Sequence, residues 1–176
     1  LLGSAIADTI SGRVVGVADG DTLTVLDASK QQHKIRLDGI DAPEKAQPFG
    51  QRSKENLSRL VFNKEVAVDW TKRDRYGRIV GKVMVQPSDC PTCPKTLDAG
   101  QAQLSVGMAW WYRKYAKEQS SEDRGRYEFE EQEAKAHHAT EGPEQRCHLR
   151  DSVIDGQSYL LWSGIDDVVG VLLEQQ

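Results

Sequence analysis

The sequence lacks several features that would assign it to a common structural class. Its 176 residues contain no run of 18 or more apolar residues, so no membrane-spanning helix is predicted. No segment repeats, so a solenoid or propeller is not expected. Apolar residues are only 38% of the chain and charged residues are 28%, which is typical of a globular protein with a hydrated surface. The length suits one domain with a buried core.

Cysteine is also scarce, with three residues in the chain. Cys90 and Cys93 form the motif Cys-Pro-Thr-Cys, and Cys147 lies far from them. The spacing of Cys147 and the neighbouring histidines matches no standard zinc module. A thioredoxin-like redox motif would require a βαβ context, which the sequence does not predict. A local Cys90–Cys93 disulfide is therefore the first interpretation, ahead of free thiols and then of a metal site.

The net charge of −4 hides an uneven distribution of charge. Residues 30–82 contain 13 Lys and Arg against 7 Asp and Glu, whereas residues 118–176 contain 5 against 14. A basic middle region is typical of proteins that bind a polyanion. The alternative is a solvated surface of mixed charge.

The first residues resemble the end of a secretion signal. Ala5-Ile6-Ala7 has the small-x-small pattern of a signal-peptidase site. We expect residues 1–7 to be a signal-peptide remnant and the exported protein to begin near Asp8. The alternative is an N-terminus that is simply frayed.

Apolar periodicity predicts a barrel with helices. Alternating or β-branched stretches predict five strands, at 13–17, 22–26, 33–37, 66–70 and 79–85. Helical spacing predicts three helices, at 49–62, 98–109 and 121–138. This order indicates a mainly β, α+β domain over residues 8–142, built on a five-stranded OB-fold barrel. Residues 143–176 form a divergent tail of unassigned structure, and an alternative function for this tail is partner binding.

Two loops carry carboxylates that are candidates for binding a cation. Asp21 ends a turn between the first two strands, and Asp41 lies in the loop after the third. Pro43 favours an extended Ala42, which leaves the Ala42 carbonyl able to face an ion. Calcium prefers carboxylate, carbonyl and water oxygens, so these three residues are candidate Ca²⁺ ligands. The alternatives are turn formation for Asp21 and helix capping for Asp41.

Two arginines and one glutamate complete a candidate catalytic set. Arg36 lies on the polar face of the third predicted strand, and Arg78 follows a Tyr-Gly turn. Their guanidinium groups match phosphate oxygens as forked donors, and Glu44 is positioned to activate or orient a water molecule. The alternatives are solvated surface arginines, and a Glu44 that interacts with the dipole of the following helix.

These motifs together resemble the staphylococcal (micrococcal) nuclease family, in particular its exported bacterial thermonucleases. The resemblance covers about residues 12–138. Its departures are an insertion at 90–94 and the tail after residue 142. The motifs that carry it are Val17-Ala18-Asp19-Gly20-Asp21-Thr22, Arg36 with Gly39-Ile40-Asp41-Ala42-Pro43-Glu44, and Asp74-Arg75-Tyr76-Gly77-Arg78.

The resemblance implies an OB-fold and calcium-dependent endonucleolytic hydrolysis of DNA and RNA that leaves 3′-phosphate ends. It implies that Arg36, Glu44 and Arg78 are catalytic. The implied calcium ligands are Asp21, Asp41 and the main-chain carbonyl of Ala42. The best-known member has Thr in place of Ala42, and a main-chain contact should survive that change.

Aromatic residues near the motifs are candidates for substrate binding. Tyr76 resembles the family's nucleotide-contacting tyrosine, and Tyr112 and Tyr115 are candidates for base stacking. Such stacking favours a single-stranded or locally opened substrate. Trp110 and Trp111 are equally well explained as core residues. The alternative function for the whole domain is a non-catalytic OB-fold module that only binds nucleic acid.

Overall fold

The computed structural model describes residues 8–90, 92–140, 150–154, 157–163 and 169–173. The predicted signal-peptide remnant at residues 1–7 lies outside the described residues. No helix in the described part of the chain is both long and apolar enough to cross a membrane. The strands of the barrel region are β1 (Asp8–Val17), β2 (Thr22–Asp27), β3 (Gln32–Leu37), β4 (Ile40–Asp41), β5 (Glu65–Arg73), β6 (Ile79–Val85), β7 (Leu97–Asp98) and β8 (Trp110–Trp111).

Five strands close into a barrel. The order is β3-β2-β1-β5-β6, and a parallel pairing of β3 with β6 joins the two ends. This closed arrangement confirms the predicted five-stranded OB-fold barrel. β1 begins earlier than predicted because its first half, Asp8–Arg13, pairs with β5. That half is polar, so its participation depends on the partner strand rather than on its own periodicity.

Branched aliphatic side chains fill the barrel interior. Alternation along each strand directs every second residue inward, which is why the predicted strands could be recognised. These interior side chains are almost fully shielded from solvent, and they are Leu23, Val25, Ile35, Leu37, Val66, Val68, Ile79, Val83 and Val85.

Three α-helices pack around the barrel: α1 (Gly50–Val61), α2 (Ala99–Ser105) and α3 (Ser121–Thr140). Asp98 begins α2 by accepting hydrogen bonds from the main-chain N–H groups of Gly100 and Gln101. α2 is shorter than the predicted 98–109. The chain turns at Gly107, and the next residues form the short strand β8 and a 3₁₀ helix, Arg113–Glu118.

A buried carboxylate ties α3 to β8. Glu131 is 3% exposed and accepts hydrogen bonds from the main-chain N–H of Trp111 at 3.1 Å and from Arg113 Nη2 at 2.6 Å. β8 pairs in turn with β4, with Asp41 opposite Trp110. α3 therefore supports the strand that carries Asp41.

Replacing Glu131 by Gln should lower the free energy of unfolding by about 2 kcal/mol, because the partly exposed Arg113 and Lys135 both lose the countercharge of this buried carboxylate. Denaturant titration measures this change. Glu128→Gln on the exposed side of the same helix is the matched control and should have little effect. Equal losses in the two variants would contradict the anchoring role.

The Cys-Pro-Thr-Cys loop and the tail complete the described chain. Cys90 and Cys93 are joined by a disulfide, with their Cα atoms 5.3 Å apart. In the tail, β9 (Arg150–Ile154), β10 (Gln157–Ser163) and β11 (Val169–Leu173) form a separate antiparallel sheet. The sequence did not indicate this sheet.

Candidate active site

The β2–β3 hairpin brings Asp21 beside Arg36. Thr22 lies opposite Arg36 in the antiparallel register, and the main-chain N–H of Leu37 donates to the Asp21 carbonyl at 2.8 Å. Asp21 is only 7% exposed. The β2–β3 hairpin therefore places these two residues in contact.

One guanidinium nitrogen joins the two predicted calcium-ligand carboxylates. Arg36 Nη2 lies 3.0 Å from Asp21 Oδ2 and 2.5 Å from Asp41 Oδ1. Burial opposes the charge of Arg36, but the two carboxylates outweigh it and raise the pKa of the guanidinium. Asp41 reaches this position from β4 and not from an irregular loop, and since α1 begins at Gly50, Asp41 does not cap it.

The Asp21 carboxyl group is poised to accept further positive charge. Burial raises its pKa to about 8, with a further increase from Asp19, while Arg36 and the Thr22 hydroxyl oppose the shift. A buried carboxylate that is not fully compensated gains most from an added cation.

A tight turn at residues 74–78 directs the Arg78 side chain toward Thr22, beside Asp21. Asp74 accepts from the main-chain N–H groups of Tyr76 and Arg78, each at 2.9 Å, and from Arg78 Nε at 2.7 Å. Gly77 provides the positive φ of +78° that this turn requires. Arg78 Nη1 then reaches Thr22 Oγ1 at 3.3 Å. Thr22 is therefore next to both predicted catalytic arginines.

Glu44 lies in the loop after β4 and is exposed to solvent. A turn holds its main chain, because its N–H donates to Gln47 Oε1 at 2.7 Å. Partial desolvation, together with the negative charges of Asp19 and Asp41, raises the pKa of its carboxyl group. Arg78 and Arg36 act in the opposite direction. Glu44 therefore lies close enough to Asp41, Arg36 and Arg78 for their charges to change its pKa.

A groove of about 360 Å³ runs beside the two arginines. All three predicted substrate tyrosines line it. Tyr76 is 68% exposed, Tyr112 lies 5.7 Å from the Arg36 guanidinium, and Tyr115 lies 4.6 Å from Lys72 Nζ. Aromatic rings that alternate with cations are suited to bases and phosphates of an extended nucleic-acid strand. Trp110 and Trp111 do not belong to this surface, since both are buried core residues.

Several cations of the groove were not singled out from the sequence. Three of them lie in the basic run that begins with Lys72, and one follows Tyr112 closely in the chain. The charge of the first three was visible in the basic middle region, but their place beside the tyrosines depends on how distant segments of the chain come together in the fold. These lining residues are Lys72, Arg73, Arg75 and Lys114.

The predicted calcium ligands have suitable chemistry for a hard cation. Among residues 8–90 and 92–137, no three His, Cys, Asp or Glu side chains form a metal cluster. Calcium also accepts carbonyl and water oxygens, so two carboxylates can suffice. The Asp21 and Asp41 oxygens converge on a single nitrogen, and Ala42 follows Asp41 directly. The oxygen donors present are therefore of the type that calcium prefers.

Comparisons with known proteins show which family the sequence matches. The family model described as "Staphylococcal nuclease homologue" matches residues 34–140. Protein ParB of Escherichia coli is 43% identical over 104 residues, which cover 59% of this chain and 58% of that protein. An uncharacterized endonuclease of Escherichia coli is 43% identical over 106 residues, covering 60% and 63%. The micrococcal nuclease of Shigella flexneri is 40% identical over 129 residues, covering 69% and 67%. The chain therefore spans about 60% of the length of the first two relatives.

Proposed function

Because the chain belongs to the staphylococcal nuclease family, we propose that it is a calcium-dependent endonuclease that hydrolyses phosphodiester bonds in DNA and RNA. One observation carries this proposal. Arg78 reaches Thr22, the strand partner of Arg36, and Arg36 contacts two carboxylates at the side of a groove lined with tyrosines and cations. The names of the similar proteins, which include a micrococcal nuclease and an endonuclease, support the same reaction class.

The two arginines bind the scissile phosphate in this proposal. The phosphate gains negative charge as water attacks, and preorganised guanidinium donors stabilise that charge in the transition state. The tether to Asp74 holds Arg78 in position before substrate arrives. Arg36 is held by Asp21 and Asp41, so neither guanidinium has to be ordered during the reaction.

Asp21, Asp41 and the Ala42 carbonyl would hold the calcium ion. When bound, Ca²⁺ supplies Lewis-acid polarisation of a phosphate oxygen. Asp21 would also gain from this arrangement, because burial disfavours its charged form and a bound cation would compensate that charge.

Glu44 accepts the proton of the attacking water. Its raised pKa makes its carboxylate a better base than an ordinary glutamate. The new bond joins the water oxygen to phosphorus, and the bond to the 5′-oxygen breaks. That oxygen takes up a proton from solvent water, and one arginine stabilises its developing charge by donating a hydrogen bond to it. The product strand ends in a 3′-phosphate.

A digestion assay tests the proposal. Plasmid DNA and RNA are incubated with the protein in millimolar Ca²⁺ or in excess EGTA. We expect cleavage of both substrates with Ca²⁺ only. Cleavage that persists in EGTA would refute the calcium requirement. Binding of single-stranded DNA without cleavage in Ca²⁺ would instead favour the non-catalytic OB-fold module, which the presence of Arg36, Glu44 and Arg78 argues against.

Tyr76 stacks on an unpaired base in this proposal, which favours single-stranded or locally opened substrates. Tyr76→Ala should weaken binding of a short single-stranded oligonucleotide on the order of tenfold, from a stacking energy of about 1–3 kcal/mol per base. Fluorescence anisotropy in the Glu44→Gln background measures the affinity without cleavage. Tyr76→Phe, which retains the ring, should bind like the parent. Equal affinity of the Ala and Phe variants would contradict the stacking role.

We propose further that the protein is exported. The Ala5-Ile6-Ala7 pattern supports this, because it resembles a signal-peptidase site. The disulfide between Cys90 and Cys93 is also typical of oxidising compartments. Fractionation of cells that express the natural gene, followed by N-terminal sequencing, would test the proposed start near Asp8.

A further inference from the structure

A fully buried amide lies behind the turn that carries Asp21. The Gln103 side chain in α2 is 0% exposed. Its Nε2 donates to the main-chain carbonyl of Gly20 at 2.8 Å and to that of Ser53 at 3.1 Å. A primary amide has two N–H donors, so both are used. Gln103 therefore links the β1–β2 turn to helix α1.

Asn56 sets the orientation of this amide. Its Nδ2 donates to Gln103 Oε1 at 2.5 Å. If the amide were rotated by 180°, Gln103 Oε1 would face the carbonyl oxygens of Gly20 and Ser53. Gln103 Nε2 would then face the Asn56 amide donor. The N–H end of Gln103 is consequently directed at Gly20.

The turn packs on its neighbours without spare room. A Cβ atom added at Gly20 would lie 1.8 Å from Ser53 Oγ and 2.8 Å from the Ala42 Cβ. No side chain fits there, because real Cβ contacts do not approach so closely. Gly20 precedes Asp21 in the chain, and Ala42 follows Asp41. One tight contact thus joins the two segments that carry the proposed calcium ligands.

We propose that Gln103 is a positioning residue that holds the Gly20 turn against Ala42 and thereby sets the calcium affinity of the site. This inference rests on the proposed function. Gln103 does not line the groove, and it acts through the main chain of Gly20 and not on substrate. Loss of its hydrogen bond frees the turn, and Asp21 moves with it. The groove cations are unaffected, so calcium binding and nucleic-acid binding should separate.

Calorimetric titration with Ca²⁺ alone tests the proposal on the full chain. Gln103→Met preserves side-chain volume and removes both donors. Its dissociation constant for Ca²⁺ should rise about tenfold, the lower end of the effect of residues that orient metal ligands. Its affinity for a single-stranded oligonucleotide in EGTA should equal that of the wild type. Tyr127→Phe is the matched control, since it also removes a buried hydrogen bond, from the Tyr127 hydroxyl to Asp98 at 2.8 Å. It should bind Ca²⁺ like the wild type.

Two results would overturn the role of Gln103: unchanged Ca²⁺ affinity in Gln103→Met, or an equal loss in Tyr127→Phe. If circular dichroism shows that Gln103→Met does not fold, Asn56→Leu decides. This variant leaves the buried Gln103 Oε1 without its donor, so the amide is held less firmly against Gly20. A several-fold weaker Ca²⁺ affinity supports the proposal and an unchanged affinity refutes it. A wild type that binds no Ca²⁺ would overturn the calcium chemistry as well. If the wild type binds Ca²⁺ and cleaves DNA, and the Gln103→Met and Asn56→Leu variants bind Ca²⁺ with the same affinity, only the role of Gln103 is overturned.

Discussion

The Glu44→Gln variant is expected to cleave DNA roughly 10²–10⁴-fold more slowly than the wild type at saturating Ca²⁺. Glutamine has nearly the same size, but it cannot accept the proton of the attacking water. Glu44 is exposed and its side chain is not needed to fill the core, so folding should be unaffected. Single-turnover digestion of a labelled oligonucleotide measures the chemical step without product release.

The control for this variant is Glu55→Gln on the exposed surface of α1. It makes the same chemical change away from the groove and should cleave like the wild type. A Glu44→Gln variant with wild-type single-turnover rates would show that Glu44 is not the base. If Glu44→Gln and Glu55→Gln bind Ca²⁺ with equal affinity, the slower cleavage by Glu44→Gln is a loss of catalysis and not of bound metal.

Arg78→Lys should reduce the cleavage rate by about 10²–10³-fold, the usual effect of removing one transition-state donor. Lysine keeps the positive charge but lacks the forked geometry that reaches Asp74 and Thr22 together. The ammonium group is therefore neither tethered nor directed at the phosphate. The loss should appear in the single-turnover rate and much less in the affinity for uncleaved substrate.

Arg75→Lys is the matched control, because it makes the same substitution in the same turn. Arg75 lies 4.7 Å from the ring of Tyr76 and lines the groove without a contact to Thr22. We expect a change of at most a few fold, mainly in binding. If both variants lost activity equally, total charge in the groove would explain the effect and the specific role of Arg78 would be wrong.

Much of the fold could be predicted because its signals are local. The inward-facing residues of the barrel strands alternate along the chain, so β6 was predicted with its observed bounds, Ile79–Val85. The boundary of α2 was less accurate, since Gly107 and the short strand after it carry little periodic signal. β4 and β8 are two-residue strands that exist only because they pair with each other.

The sequence by itself identified the residues that we propose carry the chemistry. Asp21, Arg36, Glu44 and Arg78 stand in short motifs whose turn and strand signals lie within a few residues of the charged groups. Turn formation and strand alternation depend on neighbouring residues alone, so these motifs can be recognised without a structure.

Only the tertiary structure decided how these residues meet. Arg78 reaches Thr22 across 56 residues of chain, and Gln103 reaches Gly20 across 83. The first contact requires closure of the barrel, because β3 and β6 pair only when the sheet curls around its core. The second requires α2 to pack beside the β1–β2 turn. Periodicity in one sequence reports which face of an element is buried, but it contains no information on which distant element covers that face. For that reason the groove cations beside Tyr115, the support of Asp41 by α3 and the amide behind the Asp21 turn became visible only in the folded molecule.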